Sequence, residues 1–245
     1  MAAPAPRVSV VLVTGSTSGI GEATARRFAA RGDLVVLNSA RSREAGERLA
    51  AELPGASYVQ ADLAREEGVC DLLDAVRDRH GRLDVLVNNA ATTRRIDHRD
   101  FASAGREVWR EIFELNVFAT FELTTAALDL LRVGGGAVVN VSSHAGERTA
   151  GSSIPYAASK AALNHVTRLL ARVVGPEVRV NAVAPGLTAT PWTADWDGAR
   201  EYVERHAPLR RVATPDDVAG AILALVDAPY VTGQVLAVDG GLSTT

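Results

Sequence analysis

The 245-residue sequence predicts an α/β fold: a single doubly wound domain with a seven-stranded parallel sheet and helices on both faces. Three observations carry that reading. Short β-branched apolar runs alternate with helical stretches along the whole chain, the order required by a parallel sheet with crossover helices. A glycine-rich turn separates the first apolar run from the first helix. Polar residues able to do chemistry fall just after the apolar runs, at the carboxyl ends of the predicted strands, where such sheets bind ligands.

The first run, Val8 to Val13, has no polar alternation beyond Ser9 and suits a strand buried on both faces. It ends at Thr14-Gly15-Ser16-Thr17-Ser18-Gly19-Ile20-Gly21, and a helix follows from Glu22 to Arg31. A strand, a glycine turn and a helix N-terminus together present backbone N–H groups and a positive dipole end to an anion. Gly15 suits the tight turn, Gly19 the approach of a pyrophosphate, and Gly21 the packing of helix on strand. Leu34–Asn38 is the second strand and Ser42–Glu52 its helix; Ser57–Ala61 is the third, with a helix from Arg65 to Arg79. Val85–Val87 is the fourth strand, ending at Asn88-Asn89-Ala90. Apolar residues Val108, Ile112, Leu115, Ala119 and Leu123 recur at helical spacing and predict one long helix from Arg106 to Leu131. Ala137–Val141 is the fifth strand. The next helix runs to about Val174, where Gly175-Pro176 stops it. Val178–Val183 and Gln234–Val238 complete the sheet, with helices at Trp196–His206 and Pro215–Val226 between them.

Composition narrows the class. A hydrophobic fraction of 47% and a charged fraction of 22% are those of an ordinary globular domain. The net charge of −3, with both signs interspersed, supports neither a nucleic-acid stripe nor a polybasic membrane face. No apolar stretch approaches the length of a membrane span, and residues 1–6 read as a short flexible Ala/Pro leader rather than a signal peptide. A cytoplasmic protein is the simplest expectation. The single cysteine, Cys70, rules out a disulfide framework or thiolate cluster, so no metal site is expected; its helical context predicts a small buried hydrophobe.

Of the 26 basic residues only one, Lys160, is lysine. Arginine cannot replace lysine where a compact ammonium with a tunable pKa is needed. Lys160 lies four residues after Tyr156, one helical turn away on the same face. A phenol near pKa ~10 is a poor acid–base group at neutral pH unless its surroundings help it.

These residues give the chain a resemblance to the short-chain dehydrogenase/reductase family over nearly its whole length. The matching motifs are Thr14-Gly-x-x-x-Gly-Ile-Gly21, Asp62-Leu63, Asn88-Asn89-Ala90, Asn116, Ser143, Tyr156-x-x-x-Lys160, Pro185-Gly186 and Val238-Asp239-Gly240-Gly241. The resemblance implies a single Rossmann-type domain over residues 1–245. It also implies hydride transfer between NAD(P)(H) and a ketone, aldehyde or secondary alcohol, with the cofactor supplying the redox chemistry. Tyr156 would be the general acid for reduction, and Lys160 would lower its pKa and hold the nicotinamide ribose. Ser143 would stabilise charge on the substrate oxygen, and Asn116 would hold a water that relays protons to Lys160. Ser143 is preferred over Ser142 because the family spacing to Tyr156 fits it, and Ser142 is expected to point to the opposite side.

For the cofactor, the resemblance implicates Gly15, Thr17, Ser18, Gly19, Ile20 and Gly21 at the phosphates, and Asp62 and Leu63 at the adenine. Asn89 and Ala90 would lie under the ribose, with Pro185, Gly186, Thr188 and Thr190 at the nicotinamide. Ser39 stands where NAD-type members carry an acid, and Arg41 follows closely, so NADP(H) is preferred and NAD(H) is not excluded. Ala91 replaces a family glycine, at some cost if that position has a positive φ. A lid over about residues 187–209 and Thr92, Arg94, His144, Ile154, Trp192 and Trp196 would shape the substrate pocket. The leading expectation is a small-molecule ketone or aldehyde reductase. A 3-oxoacyl-carrier-protein reductase is the alternative, on Pro208-Leu209-Arg210-Arg211, and a non-catalytic NADP sensor the third reading. A homotetramer or homodimer is expected through the Asn116 and Tyr156 helices.

Overall fold

Alternation within the strands decides which side of the sheet each helix covers. The computed structural model describes residues 8–244; the predicted leader at residues 1–6 lies outside them. The strands are β1 (Val10–Val13), β2 (Leu34–Ser39), β3 (Ser57–Gln60), β4 (Val85–Asn88), β5 (Ala137–Val141), β6 (Arg179–Pro185) and β7 (Val235–Val238). They form one seven-stranded sheet in the order β3-β2-β1-β4-β5-β6-β7, and every pair is parallel.

Because successive side chains point to opposite faces, Val10 and Leu12 join one core with Leu86 and Val138, while Val11 and Val13 join another with Val87 and Val139. The first core is closed by α3 (Glu66–His80), α5 (Thr120–Ala126), α6 (Leu128–Arg132) and α7 (Ile154–Val174), through Leu72, Leu123, Leu131 and Leu170. The second is closed by α1 (Gly19–Ala30), α2 (Arg43–Glu52) and α9 (Pro215–Val226), through Phe28, Leu49 and Ile222. The strand order reverses between β1 and β4, which opens a crevice at their carboxyl ends.

Two expectations need correction, and the condition attached to Ala91 is not met. The long helix predicted from Arg106 to Leu131 is interrupted. It divides into α4 (Arg106–Phe113), a π-helical turn at Glu114–Ala119, α5 and α6. Apolar spacing alone does not reveal a π-turn, which adds a residue without removing the apolar face. Cys70 is exposed, because α3 turns Val69, Leu72, Leu73 and Val76 inward and leaves position 70 on the outer side. Ala91 carries no strain, since Arg210 alone among the described non-glycine residues has a positive φ. One boundary also moves: α1 begins at Gly19, so its first turn is itself part of the glycine-rich loop. A last helix, α8 (Asp197–His206), lies over the crevice side of the chain after β6.

Close approach explains Gly68 in the first turn of α3. A Cβ there would stand 2.1 Å from the carbonyl oxygen of Asp62, so the helix can pack under the end of β3 only without a side chain. Gly68→Ala is expected to destabilise the fold by about 1–3 kcal/mol, seen as a lower midpoint in urea. An unchanged midpoint would contradict this packing.

Candidate active site

A cavity of about 1310 Å³ runs along the carboxyl edge of the sheet, from the glycine-rich loop to α8. All the catalytic and cofactor residues named from the sequence line it except Gly21, Arg41 and Asn116. Gly21 lies beneath the loop. Its Cβ would be 2.5 Å from the Gly15 carbonyl and 2.6 Å from Asn89 Nδ2, so it makes room for the loop rather than for a ligand. Arg41 is exposed after β2, outside the cavity wall. Asn116 is buried behind the wall.

The loop is tied to two strands. Thr14 Oγ1 accepts hydrogen bonds from the backbone N–H groups of Asn89 and Ala90, each at 3.0 Å. The Asn89 amide donates to the carbonyls of Thr14 and Gly15, both at 2.9 Å. Ser16 Oγ accepts from the Asn38 N–H at 2.9 Å. Gly15 and Gly19 adopt φ of +59° and +57°, and a Cβ on Gly19 would come within 3.1 Å of Thr190. The loop is therefore held open against β2 and β4 and pressed to the segment after β6. That is the cradle a dinucleotide needs: backbone donors at a helix N-terminus with no side chain in the way. At the end of β2, Ser39 Oγ lies 2.8 Å from Tyr58 Oη, and no acid stands there.

The second half of the site is assembled by α7. Ser153 caps the helix by accepting from the Tyr156 N–H at 3.3 Å, and Pro155 stands in the first turn, where a missing N–H costs nothing. Tyr156 and Lys160 then project from one face toward the end of β5. Lys160 is only 2% exposed; its Nζ donates to the Val141 carbonyl at 2.9 Å and lies 5.7 Å from the Tyr156 ring centroid. Burial lowers the Lys160 pKa to about 8. Ser143 Oγ accepts from the Ala145 N–H at 3.1 Å and is hydrogen-bonded to the Tyr156 hydroxyl. Burial raises the Tyr156 pKa, and the Ser143 bond only partly offsets it. Burial is thus the dominant influence on the phenol, ahead of the Ser143 bond. Ser142 turns away from Ser143, and its hydroxyl donates to the Lys160 carbonyl at 3.3 Å.

Asn116 uses its amide to hold this arrangement. Oδ1 accepts from the Thr92 N–H at 2.8 Å, while Nδ2 donates to the Thr92 carbonyl and to Ser159 Oγ, each at 3.0 Å. Ser159 in turn donates to the Tyr156 carbonyl at 2.8 Å. Both amide donors are thus spent on protein. The π-turn presents this Asn inward, consistent with the association of such turns with functional sites. Ser159 was not singled out from the sequence; its position beside Lys160 was its only signal.

The outer end of the cavity is aromatic and basic. Trp192 meets Tyr156 edge-on at 6.4 Å, and Arg95 lies over Trp196 at 5.7 Å and 3.8 Å from Asp195. Of the pocket residues expected from the sequence, His144, Trp192 and Trp196 line the cavity, while Thr92, Arg94 and Ile154 do not. Arg94 instead pairs with Glu111 at 2.9 Å, and its neighbour Arg95 takes the cavity side. The Thr190 and Thr193 hydroxyls are 3.4 Å apart, and Thr193 donates to the Thr188 carbonyl at 2.5 Å, so the segment after Pro185 is stitched by its own hydrogen bonds.

Comparison with known proteins finds relatives along nearly the whole chain. A family model described as enoyl-(acyl carrier protein) reductase matches residues 15–243. The chain is 58% identical, over 98% of both chains, to the candidate ketoacyl reductase 2 of the granaticin polyketide synthase of Streptomyces violaceoruber. It is 37% identical to a 3-oxoacyl-[acyl-carrier-protein] reductase of Synechocystis, over 95% of this chain and 96% of that one. Among solved structures, a 3-ketoacyl-(acyl-carrier-protein) reductase of Brucella melitensis complexed with NADH superposes with a TM-score of 0.89 at 31% identity, covering 96% of this chain and 98% of that one. The chain therefore belongs to the short-chain dehydrogenase/reductase family, as an NAD(P)-dependent oxidoreductase acting on the CH–OH group.

Proposed function

We propose that the protein is an NADP(H)-preferring ketoacyl reductase that converts the 3-oxo group of an acyl thioester to a secondary alcohol. The 58% identity to a polyketide ketoacyl reductase over nearly both full chains carries this reading. It reverses the order expected from the sequence, in which a general ketone reductase came first. The spacious outer cavity supports it, because Trp192, Trp196 and Tyr202 line space beyond the reacting centre.

The residues divide the work as follows. When bound, the nicotinamide supplies the hydride to the carbonyl carbon. Tyr156 gives its hydroxyl proton to the carbonyl oxygen, and its raised pKa keeps that proton in place until the oxygen becomes basic. Ser143, bonded to the same hydroxyl, donates to the developing oxyanion. Lys160 spends one of its three donors on Val141 and keeps two for the cavity side, where its charge favours the tyrosinate left after transfer. Asn116 fixes Thr92 and, through Ser159, the first turn of α7.

The NADP(H) preference rests on Ser39 in place of an acid and on Arg41 nearby, which has no ion-pair partner among the described residues. We also read the segment from Leu187 to Leu209 as the substrate lid, with Arg95 fastening it through Asp195 and Trp196. Exposed Phe118, Phe121, Leu169 and Val173 favour a homotetramer over a monomer. No helix among the described residues is long and apolar enough to cross a membrane.

The direct test follows NADPH oxidation with the N-acetylcysteamine thioester of 3-oxohexanoate. Wild-type protein should turn it over, and Tyr156→Phe should lose about 10²–10⁴-fold in kcat while still binding NADPH. Full activity in that variant would refute the mechanism. In a parallel titration NADPH should bind at least tenfold more tightly than NADH; equal or tighter NADH binding would overturn the cofactor preference.

A further inference from the structure

One polar pair in the cleft has no part in that chemistry. His144 opens the short turn His144–Gly146 directly after Ser143 and lines the cavity. Its Nδ1 lies 3.1 Å from Asp239 Oδ2, and the two side chains are 15% and 4% exposed. Asp239, just past β7, is itself held in place. The Gly241 N–H donates to Oδ1 at 3.0 Å and the Ser243 N–H to Oδ2 at 2.8 Å. Burial opposes its charge, yet hydrogen bonds from Ser243, Gly241 and His144 hold the carboxyl below its usual value. The turn that follows is pinned at a second point, where the Arg148 guanidinium donates to the Ser243 carbonyl. It also packs on the nicotinamide segment: a Cβ on Gly186 would meet Asp239 Cα at 3.0 Å.

A carboxylate only accepts, so the ring donates to it from Nδ1. A neutral imidazole held in this way keeps its lone pair on Nε2, and its orientation is fixed from behind, as an outer carboxylate fixes a ligating histidine. Among the described residues, the ring makes no other hydrogen bond. His144 lines the same cavity as Ser143 and Tyr156, so a substrate held there can meet its ring as well.

We propose that Nε2 of His144 is a second substrate contact, accepting a hydrogen bond from a hydroxyl or enol O–H on the acyl chain beyond the reacting carbonyl, with Asp239 as its positioning residue. The favoured substrate is then a multiply oxygenated acyl chain rather than a simple fatty one. This rests on the reductase reading above. It also explains why the C-terminal turn is built into the cleft.

The test compares kcat/KM for two N-acetylcysteamine thioesters, 5-hydroxy-3-oxohexanoyl and plain 3-oxohexanoyl. Wild-type enzyme should favour the hydroxylated chain by about tenfold. His144→Leu should bring the ratio near one, chiefly through KM. His144→Gln, which keeps an acceptor of similar reach, should restore part of the preference. Asp239→Ala should reduce the ratio without removing the ring. Circular dichroism confirms folding, and His144→Asn serves if the leucine variant is unstable. A ratio of one in the wild type, or the same ratio in wild type and His144→Leu, overturns the inference even while the plain thioester is reduced. Failure of the wild type to reduce the plain thioester overturns the reductase reading itself.

Discussion

A lysine ammonium sealed at 2% exposure against one backbone carbonyl is an unfavourable thing to build into a fold. Burial moves its pKa from 10.5 to about 8, a difference of the order of 3 kcal/mol between its protonation states. The sign is specific. That cost is fully present below pH 8, where Lys160 is charged both folded and unfolded, and it fades as the pH rises toward 10.5. The architecture around the cleft holds the ammonium beside Tyr156 in spite of this cost.

The restraint comes from three directions. Behind α7, a buried polar ladder joins it to the sheet: Asn88 donates to Asn140 at 2.8 Å and to Thr124 at 2.9 Å, and Asn140 donates to Thr167 at 2.9 Å. At its first turn, Ser153, Ser159 and Asn116 fix the backbone that carries Tyr156. From the loop after β5, Ser142 bonds the Lys160 carbonyl. There too a Cβ on Gly146 would stand only 2.7 Å from the carbonyl carbon of Lys160. Partly satisfied buried polar groups are costly, whereas satisfied ones specify a single arrangement. The placing of Tyr156 beside Lys160 and the rigidity of this corner therefore have the same origin.

Much of this was legible from residue order. Apolar β-branched runs and the residues following them placed the sheet and its carboxyl edge, and Tyr156-x-x-x-Lys160 marked the two α7 residues that meet at that edge. The parts that were not legible depend on tertiary packing. The π-turn at Glu114–Ala119 leaves the apolar spacing of its helix intact, so nothing in the pattern marks it. Arg94 and Arg95 are adjacent and chemically identical, and only the position of Glu111 decides which one turns to the cavity. The sign of the Tyr156 shift depends on how much protein surrounds the phenol, which charge counting cannot supply. Asp239 belonged to a recognisable motif, yet its partner His144 lies 95 positions away in sequence.

Lys160 is the only lysine among the 26 basic residues, so lysine-selective isotope labelling gives a single ε-methylene signal free of overlap. Its NMR titration in the folded protein measures the central claim directly. The signal should move with a midpoint near 8, the value that burial imposes on Lys160. A midpoint at the ordinary lysine value of 10.5 would mean that water reaches the ammonium, and the account of the site built on its burial would be wrong.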